Sequence, residues 1–266
     1  MPFTPSHAVA ALPFLRTPLV PGAIAIGAMT PDLPLFTRGI GLSYGFTHAT
    51  TNIAWTTIVA FVLLLLWRVV LRPAFVELAP TALAARLPDD WRSTGRAAVR
   101  ELVAPRERFG YPLLLVLSLM LGVLSHIAWD GLTHEGRWGV EALPVLQQMW
   151  GSMHGYKWLQ HGSSALGLLV IGLFAFLWLR RRGIVFRGRV LPGWVRWAWY
   201  VSLPVFLIGA WLLGLAVYGP LADTFTIQHL AYRTLPVASG VWGLLTLLLC
   251  AVVVIAAGRA RRRGER

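Results

Sequence analysis

The chain has 266 residues, of which 56% are hydrophobic and only 13% are charged, and its mean hydropathy is +0.63. Soluble domains of this length carry about a quarter charged residues. The composition therefore excludes an ordinary soluble domain and favours an integral membrane protein. The formal net charge of +13 would suit a nucleic-acid-binding protein, but its distribution along the chain, described below, argues against that function.

The first 52 residues are predicted to form a segment that supplies metal ligands. His7 opens a predicted helix, with Thr4 as its N-cap and Pro5 at its first helical position. The stretch 8–29 that follows is apolar but is interrupted by an arginine and three prolines. We predict that it forms two short helices that lie at the membrane interface or re-enter it, and a sixth membrane span is the competing interpretation.

Two further polar residues of this segment stand where the apolar sequence is broken. Asp32 lies in a turn flanked by Pro31 and Pro34, and His48 ends the sequence Gly-Phe-Thr-His just before the first long apolar run. Taken singly, Asp32 is explained by helix capping, and His7 and His48 by a position at the membrane interface. Taken together, they suggest a metal site.

Five segments are apolar over about 20 residues, which is the length that a helix needs to cross a membrane. They are residues 53–71, 111–132, 163–179, 198–218 and 236–257. Tryptophans near several of their ends are typical of interfacial belts. We therefore expect an all-α polytopic membrane helix bundle, with about five transmembrane helices plus the N-terminal helices, that forms a single membrane domain over residues 1–266.

The second span ends in His126, Asp130 and His134, which are spaced i, i+4 and i+8. On a helix this spacing places the three side chains in one stripe, where two ligands one turn apart can hold a metal ion. Ionisable groups within a span are costly and usually mark a functional site. The alternative is a polar helix end anchored among lipid headgroups, and this suits His134 better than the other two.

The loop 135–162 is rich in aromatic residues and contains His154 and His161. It is interpreted as an amphipathic interfacial segment anchored by tryptophans, or as a lid that holds a lipid headgroup over a site. His229, in the last outer loop, has no pattern around it and is interpreted as a surface residue.

The basic residues divide unevenly between the two sides of the predicted membrane. Nineteen of the 24 lie at the end of span one and in the loop 73–110, between spans three and four, and in the tail. These are Arg68, Arg72, Arg86, Arg92, Arg96, Arg100, Arg106, Arg108, Arg180, Arg181, Arg182, Arg187, Arg189, Arg196, Arg259, Arg261, Arg262, Arg263 and Arg266. The other five are Arg16, Arg38, Arg137, Lys157 and Arg233.

By the positive-inside rule the larger group is cytoplasmic, and so is the C-terminus. We therefore expect a multi-pass protein of the plasma membrane, and the excess positive charge is explained by topology and by attraction to anionic lipids. Nucleic acid is not an expected partner. All seven histidines fall on the non-cytoplasmic side in this topology, together with Asp32 and Asp130.

The candidate metal ligands therefore share one membrane face. They are His7, Asp32, His48, His126, Asp130 and His134. Imidazole and carboxylate donors suit a divalent metal, which we expect to be zinc, with manganese or iron as alternatives. Asp130 or Asp32 could act as a catalytic general base instead of a ligand, and spacing alone does not separate these roles.

The order of these residues resembles a known family. The chain contains, in this order, His, Pro-Asp, Gly-x-Thr-His and His-x-x-x-Asp-x-x-Thr. This order is similar to the pattern of bacterial membrane-bound proteins classed as metal-dependent hydrolases, of uncharacterised function. Their ligand pattern is similar to that of zinc-dependent phospholipase C. The resemblance covers residues 1–52 and 111–135. It implies as metal ligands Asp32, His48, His126 and Asp130, with His7 as a fifth.

The sequence departs from this family pattern at one position. Tyr44 precedes Gly45, whereas relatives often carry His-Arg before the Gly-x-Thr-His. This departure could remove a metal ligand or a charge that binds phosphate, and it leaves open whether a second metal is bound.

Two functions remain open from the sequence. A metal-dependent hydrolase at the outer interface would meet lipid headgroups directly, so its substrate would be a phosphoester, a phospholipid or a lipid-linked molecule. A non-enzymatic membrane scaffold or assembly protein with a structural metal site is the alternative. A carrier is disfavoured, because the spans are nearly free of charge at mid-depth and show no repeat.

The predicted topology is testable by cysteine labelling in a chain whose Cys250 is replaced by alanine. Ser93 lies in the loop 73–110 and Ser152 in the loop 135–162. An impermeant maleimide should label the Ser93→Cys and Ser152→Cys variants from opposite sides of the membrane, because only the first loop is basic. Labelling of both from the same side would contradict the five-span topology.

Overall fold

The computed structural model describes residues 3–37, 41–105 and 110–262. Of the basic residues that the predicted topology counts, Arg38, Arg106, Arg108, Arg263 and Arg266 lie outside these ranges. The structure is 78% helical with almost no strand, which confirms the predicted all-α class.

Five helices of the described part are long and apolar enough to cross a membrane. They are Thr50–Leu78, Tyr111–Thr133, Gly155–Arg180, Gly193–Tyr218 and Ile227–Ala260. This confirms the predicted number of such helices and is consistent with a multi-pass membrane protein. Four of the five are several residues longer than predicted, because backbone hydrogen bonding continues into polar flanks that an apolar run does not reveal.

The chain divides into two compact units. The first comprises Met1–Pro34, Leu42–Leu66 and Arg100–Arg181. The second comprises Leu35–Gly41, Trp67–Val99 and Arg182–Arg266. The single membrane domain expected from the sequence stays a prediction.

The first unit begins with two short helices, as predicted for residues 8–29. A 3-10 helix runs from Thr4 to Phe14, and helix α1 is Pro21–Met29. Helix α1 has nine residues and rises only about 13 Å, whereas a span needs about 30 Å. Neither helix is among the five candidate spans of the described residues, so the sixth span is not formed there.

The predicted N-cap at Thr4 is wrong. The 3-10 helix begins at Thr4 itself, and Phe3 occupies the N-cap position without a side-chain hydrogen bond. The Thr4 hydroxyl donates instead to Asp32 Oδ2 at 2.7 Å. A buried carboxylate is a stronger acceptor than the alternatives open to this hydroxyl, so the side chain is used to hold Asp32.

Helix α1 packs closely against the long helix Tyr111–Thr133, which is labelled α8 below. The contact is made by Gly27 on α1 and Gly122 on α8. A Cβ at Gly27 would overlap the backbone of Leu119, and a Cβ at Gly122 would overlap the backbone of Ile24. Backbone atoms cannot move aside as a flexible side chain can, so this approach requires glycine on both helices.

Several helical elements lie between these two helices. They are a 3-10 turn (Thr30–Asp32), α2 (Leu33–Phe36), α3 (Tyr44–His48), a 3-10 turn (Thr50–Asn52), α4 (Ile53–Leu66), a π-helical turn (Trp67–Leu71), α5 (Arg72–Leu78), α6 (Thr81–Ala84), a 3-10 turn (Asp89–Arg92) and α7 (Gly95–Val103). The helical elements from Thr50 to Leu78 run on as one continuous helix. The predicted loop 73–110 is therefore largely helical where the structure describes it.

The rest of the first unit follows α8. It contains α9 (Trp138–Ala142), a 3-10 turn (Pro144–Gln147), strands β1 (Met149–Trp150) and β2 (Met153–His154), and helix α10 (Gly155–Arg180). The strands pair antiparallel, with Met149 opposite His154. The aromatic loop predicted for 135–162 is thus folded, and its last part belongs to α10. Helix α10 begins eight residues before the predicted span, because its first two turns are polar and are not part of the apolar run.

The second unit contains α11 (Gly193–Tyr218) and α12 (Ile227–Arg262). Its two arginine-rich segments lie beside each other: Val185 N–H donates to the Ala85 carbonyl at 2.8 Å, and Arg187 pairs with Asp89. The buried Glu77 carboxylate accepts from Val190 N–H at 2.9 Å. These contacts agree with a common membrane face for both segments, and the assignment of that face to the cytoplasm stays a prediction.

The glycine contact gives a stability prediction. Gly122→Ala should destabilise the protein by about 1–3 kcal/mol, because the added methyl group overpacks a rigid backbone contact. Gly172→Ala is the matched control, since Gly172 lies in α10 with nothing within 4 Å of its Cβ position. Thermal unfolding in detergent, followed by circular dichroism, measures both. Equal midpoints for the two variants would contradict the packing described here.

Candidate metal centre

Four buried side chains converge in the first unit from three separate segments. Asp32 ends the 3-10 turn after α1, His48 ends α3, and His126 and Asp130 lie one turn apart on α8. Each side chain is at most 5% exposed. One donor atom from each lies within 4.8 Å of the other three, so the group could hold a metal ion. These are the four residues that the resemblance implies as ligands.

The separations between the donor atoms fit a single ion. His48 Nε2 and His126 Nε2 are 3.2 Å apart, and each lies 3.4 Å from Asp130 Oδ2. Asp32 Oδ1 lies 3.6 Å from His126 Nε2 and 4.0 Å from His48 Nε2. Ligands about 2.0–2.1 Å from a tetrahedral zinc ion are about 3.3–3.4 Å from each other. Three separations match this closely, and Asp32 Oδ1 lies farther from the two histidine nitrogens than this geometry requires.

The other ring nitrogen of each histidine fixes the tautomer. His126 Nδ1–H donates to the Ala28 carbonyl at 2.7 Å, and His48 Nδ1–H donates to the Tyr44 carbonyl at 3.0 Å. A carbonyl can only accept, so the neutral rings carry their proton on Nδ1 and present the Nε2 lone pair to the cluster. Metal-binding histidines are oriented in this way by backbone carbonyls.

Two buried polar atoms beside the cluster have no hydrogen-bond partner among the described residues. They are Asp130 Oδ1 and His7 Nε2, which lie 3.7 Å apart. An unsatisfied buried polar atom costs about 1–3 kcal/mol. Together with two carboxylates and two facing imidazole lone pairs, these atoms form a donor set that fits a divalent cation.

His7 borders the group of four without belonging to it. Its ring stacks on that of His126 with the centroids 4.0 Å apart, and the side chain is buried. Burial, with a further contribution from His126, lowers the pKa of His7 to about 3. The ring is therefore neutral at pH 7 and keeps a lone pair on one of its two nitrogens, while its role as a fifth ligand stays a prediction.

His134 is placed less favourably than the spacing predicts. Helix α8 ends at Thr133, and His134 is the C-cap with extended backbone angles (φ −124°, ψ 137°). The predicted stripe of three side chains is therefore wrong for His134. Its Nδ1 lies 3.6 Å from Asp130 Oδ2, but the side chain is 20% exposed, and Nε2 accepts from Gln160. Its assignment as a ligand stays a prediction.

The remaining histidines are not part of the group. His154 Nδ1–H donates to the Gln147 carbonyl at 2.7 Å, and His161 is exposed on α10. His229 belongs to the second unit and contacts Thr226.

Two hydroxyl groups donate hydrogen bonds to the carboxylates, and neither contact is predicted from the sequence. Tyr44 Oη donates to Asp130 Oδ2 at 3.2 Å, and its ring stacks on His48 with the centroids 3.7 Å apart. Burial, followed by the nearby Asp130, raises the pKa of Tyr44, so the phenol keeps its proton. The i, i+4 spacing of Tyr44 and His48 is the signal that could have found it. No local signal indicates that Thr4 would bind Asp32.

Metal content tests the ligand group. Protein purified in detergent should contain about one divalent ion per chain, and His126→Ala should lose it, because a ligand at the centre of the donor set is removed. His161→Ala is the control, since His161 is exposed on α10. Elemental analysis by mass spectrometry gives the stoichiometry. Equal metal content in the two variants would show that the cluster is a metal-free network of histidine and aspartate.

Comparison with known proteins gives one match. A family profile described as a domain of unknown function (DUF4184) matches residues 1–257. No curated protein and no solved structure matches the chain. The matched range includes every residue of the cluster and covers nearly the whole sequence. The chain therefore belongs to the DUF4184 family, whose function is unknown.

Proposed function

We propose that this protein is a membrane-embedded, metal-dependent hydrolase that acts on a phosphoester or lipid-type substrate at the outer membrane–water interface. The observation that carries the proposal is the buried group of Asp32, His48, His126 and Asp130, whose donor atoms suit one ion. The proposed location is the bacterial plasma membrane with a cytoplasmic C-terminus. It is supported by the five apolar helices and the uneven distribution of arginine.

The chemistry of the donors favours a catalytic ion over a structural one. Structural zinc sites are built mainly from cysteine and histidine, whereas catalytic sites use histidine and carboxylate ligands. Here the donors are two imidazole nitrogens and two carboxylate oxygens. The single cysteine, Cys250, is buried in the apolar core of the second unit. We propose zinc as the ion, with manganese or iron as alternatives that accept the same donors.

A bound divalent ion would lower the pKa of a water molecule and polarise a phosphoryl or ester oxygen. The contacts of the two aspartates support different roles for them, which spacing could not separate. Asp32 has one oxygen in the cluster and the other bonded to Thr4. Asp130 also has one oxygen in the cluster, but its Oδ1 has no hydrogen-bond partner in the described part of the chain. Asp130 is therefore the better-placed general base.

An apolar cavity on the His7 side of the cluster supports a lipid substrate. It has a volume of about 360 Å³, and it is lined by His7 and mainly by apolar side chains, including Val9, Leu166 and Val170. It lies between the N-terminal 3-10 helix, α8 and α10, and the two long helices are candidate membrane spans. We propose that it holds the hydrocarbon chain of a membrane lipid, because only a lipid brings such a chain into the bilayer plane beside the ligands.

The alternative function is a membrane scaffold with a structural metal. The cluster favours it in one respect, because the four ligands belong to three segments that an ion would tie together. Metal binding would then contribute to folding free energy rather than to chemistry.

Asp130→Asn distinguishes the two functions. If the site is catalytic, the folded variant should lose turnover by about 10²–10⁴-fold, because the amide cannot accept the proton that the carboxylate accepts. Turnover is measured over a panel of phosphomonoesters, phosphodiesters and lipid esters. Asp223→Asn is the matched control, since Asp223 is exposed in the second unit, and it should keep the wild-type rate.

A structural metal predicts a different result. In that case Asp130→Asn should lower the thermal midpoint together with the metal content, and the metal-loaded wild-type protein should hydrolyse no member of the panel. A structural metal thus predicts both of these results, whereas a catalytic metal predicts loss of turnover in a stable variant. The experiment therefore separates the two functions.

A further inference from the structure

A second cavity of about 360 Å³ borders the cluster on another side. His48 and Asp130 form part of its wall, so a molecule in this cavity touches the proposed metal ligands directly. Its other lining residues include Thr50, Thr51 and Arg137. The remaining lining is apolar and includes Ala49, Ile127 and Trp138, so the cavity is more polar than the one beside His7 without being polar throughout.

Arg137 is the basic side chain among the described residues that line this cavity. Its guanidinium carbon lies 5.8 Å from the centre of the Tyr44 ring, and the side chain is half-buried. No carboxylate of the described chain lies within ion-pairing distance of it. Stacking on Tyr44 limits the directions in which the guanidinium can point, while its N–H donors remain available.

A helix end adds to the positive character of the same cavity. Thr50 and Thr51 begin the continuous helix that runs to Leu78. The first N–H groups of a helix have no partner within it, and the helix dipole places a partial positive charge there. A guanidinium and a helix N-terminus that face one cavity are a combination suited to an anion.

We infer that this cavity binds the phosphate group of the substrate, with Arg137 as the residue that recognises the anion. The inference deepens the proposed function, because it names the substrate class of the same site. The two aspartates of the cluster would repel an anion, so binding requires the divalent ion as well as Arg137. A phosphate from a lipid headgroup and one from a soluble phosphoester present the same oxygens to this site.

The probe is inorganic phosphate, titrated by calorimetry into metal-loaded protein in detergent. Arg137→Gln should weaken phosphate binding by about 10- to 100-fold, because a charge-assisted interaction is lost. The phosphate affinity of Arg137→Lys should lie between those of the wild type and Arg137→Gln, since lysine keeps the charge but not the planar guanidinium. Metal content and thermal midpoint should be unchanged in both variants, which a purely structural role for Arg137 would not allow.

Arg233→Gln is the matched control. Arg233 also stacks on a tyrosine, with its guanidinium carbon 5.0 Å from the centre of the Tyr218 ring, but it belongs to the second unit. Its removal should leave phosphate affinity unchanged. Phosphate binding that stays within twofold in Arg137→Gln, or that is absent from the metal-loaded wild-type protein, would overturn the inference.

Competition distinguishes the source of the phosphate. The two competitors are phosphatidic acid in micelles and glycerol 3-phosphate. If phosphatidic acid displaces bound phosphate at the lower concentration, the source is a lipid headgroup. If glycerol 3-phosphate does so, the source is a soluble ester. Displacement by neither would also overturn the inference. Failure here is separable from failure of the hydrolase proposal. If Arg137→Gln turns over substrate with an unchanged KM, only the anion-site inference is contradicted. If phosphate binding depends on Arg137 but no turnover is found, only the hydrolase proposal is contradicted.

Discussion

Asp32 and Asp130 are each only 2% exposed, and both direct an oxygen toward two histidine nitrogens that lack a proton in the neutral rings. Buried carboxylates are tolerated only when they are paired, hydrogen-bonded or bound to a cation. Much of the first unit serves this requirement. Thr4 and Tyr44 each donate a hydrogen bond to one of the two carboxylates. The carbonyls of Ala28 and Tyr44 fix the histidine rings, so the electrostatics of the cluster and the local fold are coupled.

The close contact of α1 with α8 makes this arrangement possible. Asp32 is the third residue after α1, so the distance between the two helices sets its distance from His126. The hydrogen bond from His126 to Ala28 depends on the same contact, since Ala28 adjoins Gly27. A larger residue at either glycine would separate the helices, and both interactions would be lost together. Apolar packing at the glycines and polar geometry at the cluster are therefore one structural feature.

Hydrophobic length and helical periodicity are local properties, so the sequence predicts the helical class, the five long helices and the neighbouring positions of His126 and Asp130. The convergence of Asp32 and His48 with that pair is what the family resemblance implies. The errors arise where tertiary contacts decide. Thr4 has the chemistry of an N-cap, but a carboxylate brought close by folding takes its hydrogen bond. His134 has helical spacing, but the helix ends at Thr133. The position of Arg137 beside Tyr44 could not be predicted, because it depends on the path of the chain after α8.

The two cavities bear on whether the ion is structural or catalytic. A structural ion is closed off by protein ligands, and burial of the four side chains taken alone would suit that role. Yet His48 and Asp130 line one cavity, and His7, whose Nε2 lies 3.7 Å from Asp130, lines the other. The first cavity has an arginine and two threonines in its lining, and the second has a smaller polar share. A molecule with a phosphate and a hydrocarbon chain complements both, and its ester bond lies where these two parts join. Two cavities of different polarity beside the ligands therefore support the proposed hydrolysis of a lipid phosphoester over the scaffold alternative.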